Sequence, residues 1–165
     1  MSLAILPGSY DPMTLGHRDM VERALQDYDE AVVAVMVNPN KQTTFDMETR
    51  VRIAQLTVAD LVNVRVISDT GMLIDLFDRL GADAVCKGYR NQTDYDYEMA
   101  MASWNKEHNP RFVTVMYPAN PDHGSLSSTQ VRACLEKGSI PDGLVHPNAL
   151  PLILAEGSGG TEAAK

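Results

Sequence analysis

Hydroxyls and one histidine crowd the stretch Pro7-Gly8-Ser9-Tyr10-Asp11-Pro12-Met13-Thr14-Leu15-Gly16-His17. These residue types suit a phosphate. His17 falls at or near a first helical turn, where free N–H groups and the helix dipole favour an anion, and the Ser9 and Thr14 hydroxyls stand beside it. Pro7 and Pro12 restrict the loop, whereas Gly8 and Gly16 permit tight turns and close backbone approach. A capping Thr14 with a solvated His17 is the competing reading, and a lone Gly-His pair would favour it. The apolar run before the loop, the helical pattern after it and the hydroxyls between favour a phosphate site.

A second group of hydroxyls lies near the other end, in Leu126-Ser127-Ser128-Thr129-Gln130-Val131-Arg132. Three consecutive hydroxyls at a helix start can bond phosphate oxygens together with the free N–H groups there. Simple N-capping by one serine explains one hydroxyl and not three. Basic side chains stand between the two groups, in Pro39-Asn40-Lys41 and in Lys87-Gly88-Tyr89-Arg90.

The elements that carry these residues are legible in turn. Leu3-Ala4-Ile5-Leu6 is a first strand, and Met20, Val21, Ala24 and Leu25 pattern the helix after His17. Ala31 to Val37 is a continuous valine-rich run, as expected of a strand buried on both faces of a parallel sheet. Asp46 reads as an N-cap before Met47, Val51, Ala54, Val58 and Leu61, whose spacing makes one apolar stripe. Its capping box is incomplete, because Thr49 stands where Glu or Gln is expected. Val64 to Ile67 is a third strand, and Leu73, Leu76, Phe77 and Leu80 mark a helix closed by Gly81. Ala84-Val85-Cys86 is a fourth strand that delivers Lys87 to Arg90 at its carboxyl end. A helix is predicted from Asp94 to His108, broken by Asn109-Pro110, followed by a fifth strand from Phe112 to Met116. Further helices are predicted from Ser127 to about Lys137-Gly138 and from Asn148 to Ala155. No repeat or internal domain boundary is evident, so residues 1–156 read as one domain, with 157–165 a linker-like, disordered tail.

Alternation of strands and helices predicts a doubly wound five-stranded parallel sheet, which binds ligands beyond the carboxyl ends of its strands. The loops carrying Ser9 to His17, Asn38 to Lys41, Lys87 to Arg90 and His123 to Thr129 all fall at that edge. They make a site for a polyanion of nucleotide size.

Composition narrows the partners. The chain has 165 residues and a net charge of −8, which argues against broad binding to nucleic acid or acidic membranes. An anionic substrate therefore needs a local basic cluster. Cys86 and Cys134 form neither a metal-ligand spacing nor a disulfide framework, and Cys86 is expected to pack as a small hydrophobe. No signal-like segment or long apolar span is present, and a cytoplasmic, soluble protein is expected.

The quoted segments resemble a known family. Pro7 to Pro12 with Thr14-Leu15-Gly16-His17 is similar to the T/HxGH signature of nucleotidyltransferases, a superfamily that also holds class I aminoacyl-tRNA synthetases. Ser127-Ser128-Thr129 with Arg132 is similar to its second, Ser/Thr-rich signature. Lys87-Gly88-Tyr89-Arg90-Asn91, followed by Asp94-Tyr95-Asp96-Tyr97-Glu98, resembles the bacterial phosphopantetheine adenylyltransferases. The resemblance covers about residues 3 to 155 and implies a Rossmann-like nucleotidyltransferase fold.

It further implies transfer of an adenylyl group from ATP to 4′-phosphopantetheine, in coenzyme A synthesis. By matching position, Ser9 would touch ATP and the acceptor phosphate, His17 would stabilise the transition state and Lys41 would hold the acceptor phosphate. Leu73 would line the pantetheine pocket. Tyr10, Gly88, Tyr89, Arg90, Glu98 and the segment His123, Gly124, Ser125, Leu126, Ser127, Ser128 and Thr129 would contact ATP. His17, Lys41 and Arg90 are the catalytic candidates. Mg²⁺ is expected to arrive on ATP, because the sequence shows no dedicated carboxylate cage. A homo-oligomer, a hexamer, is implied by the resemblance alone.

Two positions depart from the family pattern. Lys87, expected to neutralise the acceptor phosphate, stands where arginine is usual, so a forked donor becomes a point charge that orients it less tightly. His123 stands where some members carry an aromatic near the adenine. Two residues keep a structural alternative: Arg90 as a surface arginine paired with Asp94 or Asp96, and Glu98 as part of a solvated acidic face. The competing functions are a sister enzyme acting on nicotinamide mononucleotide and a non-catalytic nucleotide-binding module.

Overall fold

The computed structural model describes the backbone of residues 1–123 and 126–163 and the side chains of 1–122 and 126–157. Strands and helices alternate as β1 (Leu3–Gly8), α1 (Leu15–Asp27), β2 (Glu30–Met36), α2 (Met47–Val58), β3 (Val64–Asp69) and α3 (Leu73–Leu80). They continue as β4 (Ala84–Tyr89), α4 (Gln92–His108), β5 (Thr114–Pro118), α5 (Ser128–Glu136) and α6 (Leu150–Ala163). The strands form one sheet in the order β3-β2-β1-β4-β5, with every pair parallel. This is the expected doubly wound architecture.

Period-two alternation sends each central strand into two cores. Ala4, Leu6, Ala31, Val33 and Val35 pack with Val21 and Ala24 of α1 and with Ile53 and Ala54 of α2. Leu3, Ile5, Val32 and Ala34 face the other way, onto Leu76 and Phe77 of α3. Both faces are covered, which is why β2 reads as unbroken valine and alanine.

Several boundaries rest on local chemistry. The Asp46 carboxylate accepts from the Thr49 N–H at 2.8 Å, so the cap works without a complete capping box. Gly81 closes α3 with φ 65°, in the left-handed region. Cys86 is buried, and burial pushes its thiol up to about 11, consistent with a packed and unreactive side chain.

Other boundaries differ from the sequence prediction. β4 does not end at Cys86 but runs to Tyr89, because β5 pairs with it as far as Tyr89 opposite Pro118. Lys87, Gly88 and Tyr89 are therefore strand residues rather than loop residues. β5 begins at Thr114, and Phe112 instead packs its ring 4.8 Å from that of Phe77. α4 begins at Gln92 because the Asn91 side chain caps it, accepting from the Asp94 N–H at 2.8 Å. α6 runs from Leu150 to Ala163, past the predicted end at Ala155, and the tail expected over 157–165 falls on its last turns and on residues outside the description. Among the described residues no helix is long and apolar enough to cross a membrane.

One feature of the sheet shapes the site. β1 pairs with β2 along its full length, but with β4 only at Ala4–Ala84 and Ile5–Val85. Past those pairs β1 and β4 separate, at the point where the strand order reverses. A cleft of about 560 Å³ opens there, lined by Leu6, Pro7 and Gly8 on one side and Cys86, Lys87 and Gly88 on the other.

Candidate active site

α1 supplies the histidine. Thr14 is the N-cap, and His17 is the third helical residue, where a capping box usually has Glu or Gln. The Thr14 backbone N–H donates to His17 Nδ1 at 3.0 Å, while the His17 N–H is 3.4 Å from Thr14 Oγ1. A backbone N–H can only donate, so Nδ1 must be the unprotonated nitrogen, and in the neutral ring the proton sits on Nε2. Burial, then the charges of Lys87 and Arg90, lower the His17 pKa to about 4. At neutral pH His17 is thus an uncharged ring offering an Nε2–H donor to the cleft. Thr14 caps the helix, as the structural reading held, but His17 is ordered by that cap rather than solvated.

Tyr10 braces this ring edge-on, with centroids 4.9 Å apart. Its hydroxyl donates to the Leu6 carbonyl at 2.7 Å, and burial raises its pKa well above the ordinary phenol. A bulky residue at φ 48° is strained, by roughly 1–2 kcal/mol, so the surrounding packing must hold it there. A Cβ on Gly8 would lie 3.1 Å from this ring, which explains the glycine. Tyr10 lines the cleft, yet its hydroxyl is already engaged in the loop's own architecture.

β4 and α4 supply cations with partners of their own. Lys87 Nζ lies 3.3 Å from Glu98 Oε2, so the first contact of Glu98 is this lysine. Arg90 meets the Asp94 carboxylate through Nε at 3.2 Å and through its backbone N–H at 3.1 Å. That is the pairing considered for Arg90 as a surface residue, and here it occurs at the rim of the cleft. Lys41 is exposed on the loop after β2 and lines the same cleft.

The hydroxyls of the Ser/Thr-rich segment also serve the fold itself. Ser127 Oγ accepts from the Gln130 N–H at 3.2 Å, Ser128 Oγ donates to the Pro12 carbonyl at 2.8 Å, and Thr129 Oγ1 accepts from Arg132 at 3.0 Å. Each of the three hydroxyls has a partner within the fold. Ser127 and Ser128 still line the cleft, and with the N-terminal N–H groups of α5 they can serve an anion.

The cleft therefore unites Tyr10, His17, Lys41, Lys87, Gly88, Tyr89, Arg90, Glu98, Leu126, Ser127 and Ser128. Ser9 and Thr129 are not among the lining residues. Leu73 lines an adjoining cavity of about 140 Å³ that shares Lys87, Tyr97 and Glu98 with the main cleft. The expectations at His123, Gly124 and Ser125 fall outside the described side chains.

A cytidylyltransferase-like family model matches residues 5–134. Phosphopantetheine adenylyltransferases from Heliobacterium modesticaldum and Clostridium kluyveri are each 40% identical to this chain. The first alignment covers 100% of this chain and 98% of the relative, the second 88% of each. The chain belongs to the phosphopantetheine adenylyltransferase family. A solved structure from Vibrio parahaemolyticus, described as a candidate nicotinate-nucleotide adenylyltransferase, superposes with a TM-score of 0.71 over 95% of this chain and 94% of its own. At 21% identity it speaks to the fold alone.

Sequence reasoning missed several residues of this enzyme's cleft. Asp19 and Met20 line it from α1, each three residues beyond a lining residue, Gly16 and His17. That helical spacing was the available signal. A Cβ on Gly88 would lie 3.0 Å from Met20 Sδ, so glycine lets β4 and α1 meet closely. Asp19 Oδ2 is sealed from solvent, with no hydrogen-bond partner among the described residues. Arg50, outside the cleft lining and also missed, is buried and donates to the carbonyls of Ser9 at 2.8 Å and Phe45 at 3.1 Å.

The His17 environment predicts a pH signature. In the unfolded chain the ring takes a proton near 6.5, but in the fold only near 4. The unfolded state then binds more protons through that window, so this contribution to stability is complete above pH 6.5 and is lost as pH falls toward 4. Two-dimensional ¹⁵N NMR should show a neutral ring protonated on Nε2 at pH 6 and no titration of His17 above about pH 5. A midpoint near 6.5 would contradict the half-buried, capped geometry.

Proposed function

We propose that the chain transfers an adenylyl group from ATP to 4′-phosphopantetheine, giving dephospho-coenzyme A and pyrophosphate. One observation carries this reading. In a chain aligned end to end with phosphopantetheine adenylyltransferases, both signature segments and the basic segment between them line one cleft. Its basic groups, Lys41, Lys87 and Arg90, match the three carboxylates of the lining, Asp19, Asp94 and Glu98, so the cleft is formally neutral within a protein of net charge −8 and offers cations to a phosphate.

The reaction asks little covalent work of the protein. An acceptor phosphate oxygen attacks the α-phosphorus of ATP, a new P–O bond forms, and the bond to pyrophosphate breaks with its electron pair leaving on oxygen. A phosphomonoester loses its second proton near pH 6, so at neutral pH the nucleophile is already a dianion and needs no general base. Catalysis is then positioning and charge stabilisation. Lys41 and Lys87 hold the acceptor phosphate, and the Arg90 guanidinium meets the triphosphate. His17 donates Nε2–H to the α-phosphoryl oxygens as they gain charge. Because that ring is neutral, it acts as a fixed dipole and neither gains nor loses a proton.

Lys87 starts from its contact with Glu98. Binding of a phosphate dianion there redirects the ammonium, and the same carboxylate repels any phosphate that Lys87 does not shield.

Mg²⁺ on the triphosphate would neutralise the developing charge. No group of three or more His, Cys, Asp or Glu side chains forms a metal cage among the described residues. Asp94 and Glu98 already face Arg90 and Lys87, which leaves Asp19 as the cleft-lining carboxylate able to hold the cation. One carboxylate with substrate phosphates is a common magnesium arrangement.

Self-association is part of the proposal. On α4, Tyr97, Met101 and Trp104 are spaced as one helical face and are 66%, 46% and 42% exposed. A second copy of the chain is the occupant proposed for this stripe, with the hexamer implied by the family resemblance. Light scattering should give a mass several times 18.1 kDa, and Trp104→Glu should lower it. A monomeric parent would refute this.

Pyrophosphate should appear from ATP only when 4′-phosphopantetheine is present. Release with nicotinamide mononucleotide instead would overturn the substrate assignment. His17→Ala should lower kcat about 10²–10³-fold with ATP affinity nearly unchanged, and turnover within twofold of the parent would remove His17 from catalysis. Lys41→Ala should raise the acceptor KM and lower kcat. Calorimetry showing weaker ATP binding with intact acceptor binding would place Lys41 at the wrong substrate.

A further inference from the structure

The cleft-lining Lys41 sits in an irregular segment between β2 and α2, and its own side chain is exposed. A long ammonium on such a segment positions a phosphate only if the segment's ends are fixed. Its upstream part is closed locally, by the Lys41 N–H on the Asn38 carbonyl at 3.0 Å and the Asn40 N–H on the Asn38 side chain at 3.0 Å. Its downstream end is held by a residue from a different loop.

Asp11 is buried, at 6% exposure, in the loop between β1 and α1. Its Oδ2 accepts the Thr44 N–H at 2.8 Å and its Oδ1 accepts the Phe45 N–H at 2.9 Å. One carboxylate thus takes two successive backbone donors, the stronger, charge-assisted kind of hydrogen bond. Arg50, 4% exposed, completes the grip by donating to the carbonyls of Phe45 and of Ser9. From the other side Arg132 of α5 donates to the Asp11 carbonyl at 2.8 Å, with the same nitrogen 3.9 Å from Oδ2. Ser128 adds its bond to the carbonyl of Pro12.

We propose that Asp11 is a positioning residue for Lys41. It ties the Lys41 segment to the loop that ends in His17 and to the start of α5, so that the acceptor's lysine and the nucleotide's hydroxyl segment share one anchor. Asp11 touches neither substrate and acts through Lys41. The inference rests on the reading of Lys41 as the acceptor-phosphate lysine.

The test is a double-mutant cycle on the full chain, read as pyrophosphate release. Asp11→Asn keeps the shape but turns one acceptor into an amide NH₂ that faces a backbone N–H. It should lower kcat/KM for phosphopantetheine about 10- to 100-fold, the scale expected of a misplaced positioning group, with the ATP KM within twofold of the parent. In a Lys41→Ala background the same change should cost less than twofold, because the lysine it positions is gone. Asp11→Glu, which restores the carboxylate, should recover part of the loss. An undiminished loss in the Lys41→Ala background, or an equal rise in both KM values, would overturn the proposal. If Asp11→Asn does not fold by circular dichroism, Thr44→Pro removes one donor, leaves Asp11 in place and is read through the same cycle. A parent chain that makes no product from phosphopantetheine overturns the substrate reading and this proposal with it. An active parent with an additive cycle overturns the positioning role alone.

Discussion

β1 and β4 share only the pairs Ala4–Ala84 and Ile5–Val85 before they diverge. The cleft between them follows from that divergence. Had the ladder continued, Leu6, Cys86 and Lys87 would be ordinary sheet neighbours and no cleft would lie between them. Pro7 has no N–H and offers neither neighbour a donor, and Gly8 accommodates the Tyr10 ring beneath it. β4 keeps its geometry past the split because β5 continues to pair with it. Lys87 is thereby delivered on a rigid strand, a more precise support than a loop.

Within the cleft the cations do not wait as free charges. Lys87 faces Glu98 and Arg90 faces Asp94, at the partly exposed distances of ordinary ion pairs, each contributing about 0–1 kcal/mol to stability. Such weak partners orient the cations at low cost. His17 is held by stronger means. The backbone N–H of its own helix cap fixes the tautomer, and burial beside two cations keeps the ring neutral. The same cap that starts α1 therefore also sets the protonation state of the proposed catalytic donor.

Much of this was legible one segment at a time. Strand runs, the stripe on α2, the caps at Asp46 and Gly81 and the hydroxyl-rich helix starts all depend on residues within a few positions of each other. Local sterics and hydrogen bonding act there without knowledge of the rest of the chain. The parallel, doubly wound sheet followed from the alternation of those segments, since parallel neighbours require crossovers. So did the convergence of the basic loops on one edge, which the cleft realises for Lys41, Lys87 and Arg90.

What remained hidden is contact across long sequence separation. Asp11 binds residues 33 and 34 positions away and receives Arg132 from 121 positions away. Arg50 reaches back 41 positions to Ser9. No periodicity encodes such pairings, because any buried carboxylate or guanidinium can be satisfied by many donors or acceptors, and packing selects which. The same selection gave Ser127, Ser128 and Thr129 three separate structural partners that the pattern alone did not specify. Residue type and spacing thus specified the chemistry available to this chain and the edge where it would gather. The tertiary structure decided which side chains face the ligand and which hold the others in place, because burial forces each polar group to find its partner wherever the fold has brought one.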